Sequence, residues 1–312
     1  MIAISGFTFV RNATKYYFPI KESILSILPL VDEFIIALGE SDPDDFTERE
    51  ILSINSDKIK IHKRIWDENL FKMGAIYSYE TNFALSQCTG DWCFYLQADE
   101  AVHEKYLPAI KGACEKYRSV QNVDGFLFQY KHFWGDYDHV VDGFHGWYNK
   151  EIRIIRNNAC IQSVGDAQSF RKTNGDKLNV IEIPAFIFHY GWVRPPRLMR
   201  GKKKEQESQY WGKEAAEGFF RNTPLEFDYG ALGRIPKFKD THPDVLQDWI
   251  SKHDWKENLN QSKKQTQPDR YIYKHEKSKY RILTFIEKNL FGGKRLFGYH
   301  NWNVIAKDNL LK

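Results

Sequence analysis

The first hundred residues alternate between short apolar runs and segments with helical spacing. Four runs predict strands, at Ile2–Ser5, Phe34–Leu38, Lys58–His62 and Trp92–Leu96. Phe34–Leu38 is apolar throughout, as is typical of a strand buried on both faces. Right-handed connections between such units give a mostly parallel sheet with helices on both faces. The pattern therefore predicts an α/β fold of the Rossmann type.

The pattern changes after about residue 125. Gly125–Phe133, Glu151–Arg156 and Ile181–His189 predict strands without long helices between them, which indicates an antiparallel or mixed part of the sheet. Beyond residue 195 the clearest helices are predicted at Arg197–Gly212 and Lys277–Leu290. We expect one α/β domain over residues 1–230 and a basic helical extension over residues 231–312.

The charge is divided unevenly along the chain. Residues 1–194 carry 21 Lys and Arg against 26 Asp and Glu, and residues 195–312 carry 24 against 15, so the net charges are −5 and +9. This asymmetry favours contact between the tail and phosphates, a phospholipid surface or an acidic partner, although a solvated basic helical region explains it equally well. No nucleic-acid recognition motif accompanies the charge.

The helix predicted at Lys277–Leu290 interleaves Lys and Arg with apolar residues. A peripheral membrane contact and internal packing both stay open for it; the apolar residues are Tyr280, Leu283, Ile286 and Leu290.

Several features favour a cytoplasmic protein. No apolar run reaches the roughly 18 residues of a membrane span, and no signal peptide is visible. The cysteines have neither paired zinc spacing nor a disulfide-dense pattern, so they predict reduced thiols; they are Cys88, Cys93, Cys114 and Cys160. We expect a cytoplasmic location, with the inner membrane face as a contact surface.

The strand predicted at Trp92–Leu96 ends in two acidic residues, Asp99 and Glu100. Ligands of parallel sheets bind beyond the carboxyl ends of the strands, where a carboxylate can hold a divalent cation that bridges phosphates. The same two carboxylates could instead cap the helix predicted at Val102–Tyr117. The local sequence leaves both interpretations open.

The segment around this strand resembles the donor-binding half of family 2 glycosyltransferases, which have the GT-A fold. In that family a helix with an Asn and then a Gly-Asp pair precede a strand that ends in Asp-x-Asp. Asn82, Gly90-Asp91 and Gln97-Ala98-Asp99 stand at the matching places, and the resemblance covers about residues 1–105. It implies a GT-A-like fold and inverting transfer of a sugar from a nucleotide-diphosphate donor to a hydroxyl of a glycan or lipid-linked acceptor. It also implies a role in cell-surface polysaccharide or lipopolysaccharide synthesis.

The resemblance implies a set of site residues and shows two departures. Gln97 replaces the first Asp of the motif, and the Asp that usually ends the second strand has no clean counterpart near Glu40 and Asp42. The missing carboxylate at Gln97 implies a lower metal affinity. The missing Asp after the second strand leaves open which residue recognises the nucleotide base. The implied donor-binding residues are Phe7, Arg11, Glu40, Asp42, Thr81, Gln97, Ala98 and Arg194.

A second motif, His189-Tyr190, is similar to a His-Tyr stretch of the bacterial lipopolysaccharide-core-type members of the family. The resemblance implies that Asp99 and His189 bind one Mn²⁺ or Mg²⁺, with Gln97 or Glu100 in supporting positions. A histidine satisfied within the core is the alternative for His189. Arg194 is expected to pair with a diphosphate oxygen or, alternatively, to form a surface salt bridge.

Asp166 is the predicted catalytic base, because the family places its base between the metal strand and the histidine. Gly165 precedes it and would let the backbone turn close to a substrate. An ordinary turn aspartate is the alternative, and three other carboxylates occupy the aromatic loop at Phe133–Trp147, which is a candidate acceptor-contacting segment; they are Asp136, Asp138 and Asp142.

Two other functions remain compatible with this sequence. A nucleotidyltransferase also uses an α/β sheet with a metal carboxylate, but the first loop, Gly6–Asn12, lacks the Gly-rich basic sequence expected of one. A catalytically inactive protein that binds nucleotide sugars or carbohydrates is favoured by Gln97. Walker-type phosphate loops, the G-x-G-x-x-G fingerprint, H-E-x-x-H and G-x-S-x-G are absent.

Overall fold

The computed structural model describes residues 2–143, 145–265, 270–292, 295–296 and 299–308. The strands in chain order are β1 (Ile4–Val10), β2 (Glu33–Gly39), β3 (Ile59–Arg64), β4 (Trp92–Tyr95), β5 (Glu100–Val102), β6 (Gly125–Trp134), β7 (Val140–Val141), β8 (Lys150–Arg156), β9 (Ile161–Val164), β10 (Ser169–Lys172), β11 (Leu178–Trp192) and β12 (Trp302–Lys307). The α-helices are α1 (Ile20–Ile27), α2 (Thr47–Leu52), α3 (Ala75–Ser86), α4 (Leu107–Lys116), α5 (Pro196–Trp211), α6 (Lys213–Phe220), α7 (Gln247–Ser251) and α8 (Ser278–Leu290).

The main sheet has the strand order β12-β11-β6-β8-β4-β1-β2-β3. β1 pairs in parallel with both β2 and β4, β2 pairs in parallel with β3, and β11 pairs in parallel with β6 and β12. β8 runs antiparallel between β4 and β6, while β5 and β7 pair antiparallel with β11 and β6. This confirms the predicted mostly parallel sheet with a mixed second half. β9 and β10 form a separate two-stranded sheet.

Helices cover the sheet on both faces, which places a hydrophobic core on each side. Along β2, Phe34 and Ile36 face the core that contains α1 and α4, whereas Ile35 and Ala37 face the core that contains α3. All of these side chains are fully buried. Polar and apolar residues do not alternate along this run because neither face of β2 reaches water, as predicted.

The segment after β4 differs from the sequence prediction. A helix was expected at Val102–Tyr117, but Glu100–Val102 forms β5, which pairs with β11, and α4 begins only at Leu107. Asp99 and Glu100 therefore cap no helix, and that interpretation is wrong. Asp99 instead lies in the turn between β4 and β5, at the carboxyl end of β4.

The tail contributes to the sheet as well as to the helices. α5 and α8 lie close to their predicted ranges, and β12 adds a parallel strand beside β11. β12 lies at the sheet edge with mostly exposed side chains, so its sequence shows no buried pattern that would have predicted it. Within the described ranges, no helix is long and apolar enough to cross a bilayer. The division at residue 230 stays a prediction.

Candidate active site

A cavity of about 270 Å³ opens where β1, β4 and β11 end. We call it the sheet-edge cavity. Its lining comes from the carboxyl ends of these strands, from the turn before β10 and from one side of α5, as expected for a ligand site in a sheet of this type. The lining residues used below are Phe9, Arg11, Trp66, Tyr77, Gln97, Ala98, Asp99, Trp147, Tyr148, Asp166, Gln168, His189, Trp192, Lys202, Glu205, Gln206, Gln209 and Tyr210.

The structure brings together the two side chains predicted to bind metal. Asp99 Oδ2 lies 3.7 Å from His189 Nε2, and both residues are buried. Asp99 follows β4 and His189 lies in β11, directly opposite Glu100 of β5. Strand β5 therefore brings these distant parts of the chain together, because it connects the end of β4 to β11.

Hydrogen bonds to His132 determine which nitrogen of His189 faces Asp99. His132 Nε2 lies 2.6 Å from the carbonyl oxygen of Tyr148, which can only accept, so Nε2 carries the proton. Burial lowers the pKa of His132 to about 3, so this ring is neutral and its Nδ1 accepts a hydrogen bond from His189 Nδ1 at 2.9 Å. Burial also lowers the pKa of His189 to about 3. The neutral His189 ring thus presents an unprotonated Nε2 to the Asp99 carboxylate.

Gly191 keeps the space beside these two atoms open. A Cβ atom at this position would lie 2.6 Å from Asp99 Oδ2 and 2.6 Å from His189 Nε2, closer than atoms can approach without a shift. Any side chain at residue 191 would consequently occupy the space between the carboxylate and the imidazole. Glycine is required here for that space rather than for its backbone conformation.

Glu100 is committed to a different role. Its carboxylate accepts hydrogen bonds from Arg153 Nε at 2.9 Å and from Arg153 Nη2 at 2.8 Å, and Tyr130 donates a third at 2.8 Å. Both members of the ion pair are fully buried. A carboxylate held in this way positions the turn before β5 and is not available as a supporting metal ligand, because leaving Arg153 would leave a buried charge unpaired. That part of the sequence prediction is corrected; Gln97, the other candidate, lines the cavity.

Five of the predicted donor-binding residues lie outside the cavity lining. Phe7 and Thr81 are fully buried within the core, Glu40 is exposed, and Asp42 pairs with Lys15 at 2.8 Å. Arg194 is fully buried and donates to the carbonyl oxygens of Tyr16 and Gly191, so its guanidinium supports the wall of the cavity from behind. The other three, Arg11, Gln97 and Ala98, line the cavity.

One side of α5 forms a wall that the sequence interpretation missed. Its residues recur at intervals of three and four, which is the spacing of one helix face; they are Lys202, Glu205, Gln206, Gln209 and Tyr210. Burial and the charge of Arg194 lower the pKa of Lys202 to about 7. The sequence shows these polar residues at helical spacing. It does not show that this face of the helix lies against the carboxyl ends of the strands.

Asp166 also lines the cavity, in the turn between β9 and β10. Tyr210 donates a hydrogen bond to Asp166 Oδ2 at 2.8 Å, and Gly165 has the left-handed φ of 61° that this turn requires. Asn82 of α3 positions the turn, because its side chain bonds both the amide and the carbonyl of Ser163 at 2.7 and 3.0 Å. The carboxylate is thus held at the cavity by α3 and α5.

The three rival carboxylates lie outside the cavity lining and bind elsewhere. Asp136 is fully buried and accepts a hydrogen bond from the backbone amide of His139 at 3.1 Å. Asp138 pairs with Lys256 at 2.6 Å, and Asp142 pairs with Lys288. Among the described residues of the same aromatic loop, Trp147 alone lines the sheet-edge cavity.

The donor set fits a cation that takes most of its ligands from substrate and water. Among the described residues, no group of three or more His, Cys, Asp and Glu side chains is placed to hold a metal. A carboxylate oxygen and an unprotonated imidazole nitrogen 3.7 Å apart can both reach one cation, because such bonds are about 2.0–2.6 Å long. Magnesium in phosphate-transferring sites typically takes only one or two carboxylates from the protein.

Comparison with solved structures finds glycosyltransferases, at low similarity. S. aureus TarS, as a 1-349 fragment, is 14% identical with a TM-score of 0.35, and the match covers 72% of this chain and 76% of that one. The same fragment in complex with UDP is 13% identical with a TM-score of 0.37, covering 70% of each chain. Mycobacterium tuberculosis glucosyl-3-phosphoglycerate synthase, in complex with Mn²⁺, UDP and phosphoglyceric acid, is 20% identical with a TM-score of 0.28, covering 43% of each chain.

No protein-family model matches the chain, and no curated protein matches its sequence. At such low identities and TM-scores, we infer function from the side chains that line the cavity instead.

Proposed function

We propose that this protein is a metal-dependent glycosyltransferase that moves a sugar from a nucleotide-diphosphate donor to an acceptor hydroxyl, with inversion, in the synthesis of a cell-surface glycan. The observation that carries the proposal is the facing pair of Asp99 Oδ2 and His189 Nε2. At 3.7 Å the two atoms make no hydrogen bond, and the tautomer that His132 favours turns an electron pair of His189 toward the Asp99 carboxylate, an arrangement that suits a shared cation. The space that Gly191 leaves open beside both atoms supports the same conclusion.

Asp99 and His189 would hold Mn²⁺ or Mg²⁺. When bound, such a cation would offset the negative charge that develops on the departing diphosphate. His132 and Tyr148 contribute by fixing the tautomer of His189, as partners of metal-binding histidines commonly do.

The cavity also supplies cationic and aromatic groups that suit a nucleotide diphosphate. Arg11 and Lys202 line it, and burial lowers the pKa of Lys202 to about 7, so a bound anion would favour its charged form. Phe9 stacks on Tyr77 with ring centroids 5.5 Å apart, and Arg11 lies 5.5 Å from the centre of the Trp66 ring. An aromatic wall of this kind can stack against a nucleobase or a sugar face.

Asp166 would act as the general base. It would accept the proton of the acceptor hydroxyl while the oxygen attacks the anomeric carbon, and the bond from that carbon to the diphosphate oxygen breaks. Tyr210 would keep the carboxylate oriented through its hydrogen bond. The products are then a glycoside and a nucleoside diphosphate.

Turnover of nucleotide sugars tests this function directly. Incubation with a panel of nucleotide-diphosphate sugars is expected to release nucleoside diphosphate from at least one donor in Mn²⁺ or Mg²⁺, and not in EDTA. Ion-pair chromatography of the nucleotides gives the measurement. Release of pyrophosphate from a nucleoside triphosphate and a sugar phosphate would indicate a nucleotidyltransferase, and binding without turnover would indicate an inactive binding protein.

We also propose that α8 contacts an anionic membrane surface. The helix buries two polar residues, Thr284 and Glu287, against the rest of the protein. Its apolar side chains Ile282, Phe285 and Leu290 are 60%, 67% and 73% exposed. Tyr280, Leu283 and Ile286 are half-buried, so packing accounts for part of the predicted apolar stripe. The exposed part lies on the same helix as Lys279 and Arg281, which suits an interface with anionic lipid.

Flotation with liposomes checks the membrane contact. The protein is expected to float with phosphatidylglycerol vesicles at low salt, and Phe285→Ser is expected to weaken this binding by about tenfold because a large apolar side chain no longer enters the lipid. Phe219→Ser, which changes a similarly exposed phenylalanine on α6, is the matched control. Failure of the protein to float at low salt would rule out the membrane contact.

A further inference from the structure

A second cavity of about 430 Å³ adjoins the sheet-edge cavity. The two cavities share three lining residues, Trp147, Tyr148 and Gln168. We call the second one the basic cavity, for the side chains described next. Because the lining is shared, a molecule bound in the basic cavity would lie beside the space where the proposed donor sugar would react.

The charged lining of the basic cavity is mainly cationic. Among the described residues, its cationic side chains are Lys150, Lys274 and Arg295, of which Lys150 pairs with Glu182 at 2.5 Å. Among the described lining residues the carboxyl is that of Glu151, and burial raises its pKa to about 8, which favours its neutral form at pH 7. The positive charge of this region also acts on His300, because burial and the charges of Arg295 and Lys150 lower the pKa of that residue.

Two buried polar atoms of this lining lack a hydrogen-bond partner. They are Nε of Arg295, and Oε2 of Glu151, whose contact with the Ser169 hydroxyl lies outside hydrogen-bond geometry. Glu151 is 1% exposed, and its other oxygen accepts a hydrogen bond from Gln168 Nε2 at 2.6 Å. Buried polar groups are rarely left unpaired without a reason. An unpaired guanidinium nitrogen together with an unpaired neutral carboxyl suits a ligand that accepts from both.

We propose that the basic cavity binds an anionic group of the acceptor, so that the acceptor of this enzyme is a phosphorylated or carboxylated sugar rather than a neutral one. This inference rests on the proposed glycosyltransferase function and adds the acceptor class to it. Arg295 and Lys274 hold the anion, since guanidinium and ammonium groups bind phosphate and carboxylate oxygens. The neutral Glu151 carboxyl donates a hydrogen bond to the same group. Trp147, at the junction, packs against the apolar face of the sugar.

Gln168 connects the two parts of this site. Its side chain lines both cavities and holds Glu151, while its carbonyl oxygen accepts a hydrogen bond from Arg153 at 3.1 Å. Arg153 in turn holds Glu100, the residue that follows Asp99. The anion site is therefore connected through a partly buried chain of hydrogen bonds to the turn that carries the proposed metal ligand.

Acceptor binding by the protein tests the proposal. Isothermal titration calorimetry with glucose 6-phosphate, glucuronic acid and glucose is expected to show at least tenfold tighter binding of one or both anionic sugars than of glucose, and the stronger of the two identifies phosphate or carboxylate as the group. Equal affinities for all three would overturn the inference.

Variants locate the binding. Arg295→Gln and Lys274→Gln are each expected to weaken binding of the anionic sugar by about tenfold, because each removes a hydrogen bond to a charged group. Lys111→Gln, at an exposed position on α4, is the matched control and should bind as the unchanged protein does. Anionic binding that survives both cavity variants would place the sugar elsewhere and overturn the inference.

Hydrolysis of the donor separates this inference from the proposed function. The two cavity variants are expected to raise the acceptor KM about tenfold with the donor KM unaltered, whereas Lys111→Gln is expected to keep both KM values and the rate of donor hydrolysis of the unchanged protein. Loss of donor hydrolysis in every protein, including the unchanged one, would contradict the glycosyltransferase function itself. Normal hydrolysis without a preference for anionic acceptors would contradict only the acceptor class.

Discussion

Replacement of Asp99 with asparagine is expected to lower sugar transfer by about 10³-fold, the upper range for loss of one electrostatic stabiliser in an active site. Asparagine has the same shape, and because Oδ2 lies 3.7 Å from Nε2 of His189 in the present structure, an amide group at the same place meets no clash. The fold would be kept while the anionic ligand is lost. Transfer assays over a range of Mn²⁺ concentrations and calorimetric Mn²⁺ titration measure the effect, and thermal unfolding checks that the fold persists.

Gly191→Ala provides an independent test of the same site. The added methyl group would lie 2.6 Å from both ligand atoms, so Mn²⁺ binding and transfer are expected to fall although no ligand has been removed. Gly218→Ala is the matched control, because a Cβ at that position of α6 meets nothing within 4 Å and alanine favours the helix. Normal Mn²⁺ dependence in both Asp99→Asn and Gly191→Ala would exclude the proposed metal site.

The first half of the fold was predictable because its signals are local. An apolar run such as Phe34–Leu38 indicates a strand buried on both faces whatever its neighbours are, and the structure places its alternate side chains in two cores. Asp99 and His189 were predictable as a pair for a similar reason. Each lies at or near the end of an apolar strand, and the carboxyl ends of parallel strands share one edge of the sheet.

The parts that were missed depend on long-range pairing. In the sequence, Glu100 was compatible with a helix cap. The segment is a strand because β5 pairs with β11, and the Glu100 side chain is taken up by an ion pair with Arg153. The stripe that contains Lys202 is polar, and a polar helix face normally indicates contact with solvent. It lines a cavity here because α5 packs across the sheet edge. Arg194 carried the right charge for a phosphate, but its place behind Gly191 depends on backbone carbonyl positions that a sequence does not specify.

The role of Asp166 is the second prediction with a large expected effect. Asp166→Asn is expected to lower transfer by about 10²–10⁴-fold, the usual contribution of a general base, with donor binding and Mn²⁺ affinity unchanged. The amide can still accept the hydrogen bond from Tyr210 through its oxygen, so the turn should keep its conformation. The expected change is in kcat for the acceptor reaction, which steady-state assays with a saturating donor would measure.

Two further variants distinguish a base from an ordinary turn aspartate. Asp176→Asn removes the charge of another turn aspartate, which lies outside both cavities and contacts Asn174, so transfer should remain normal. Tyr210→Phe removes only the bond that orients Asp166 and is expected to lower kcat less than Asp166→Asn does. If Asp166→Asn transfers sugar at nearly the normal rate, the base must be another group. The Asp136, Asp138 and Asp142 carboxylates are poor replacements, since each is held by a partner away from the sheet-edge cavity. An acceptor hydroxyl deprotonated by solvent would then be the simplest remaining chemistry, and transfer would rise with hydroxide concentration in the Asp166→Asn protein.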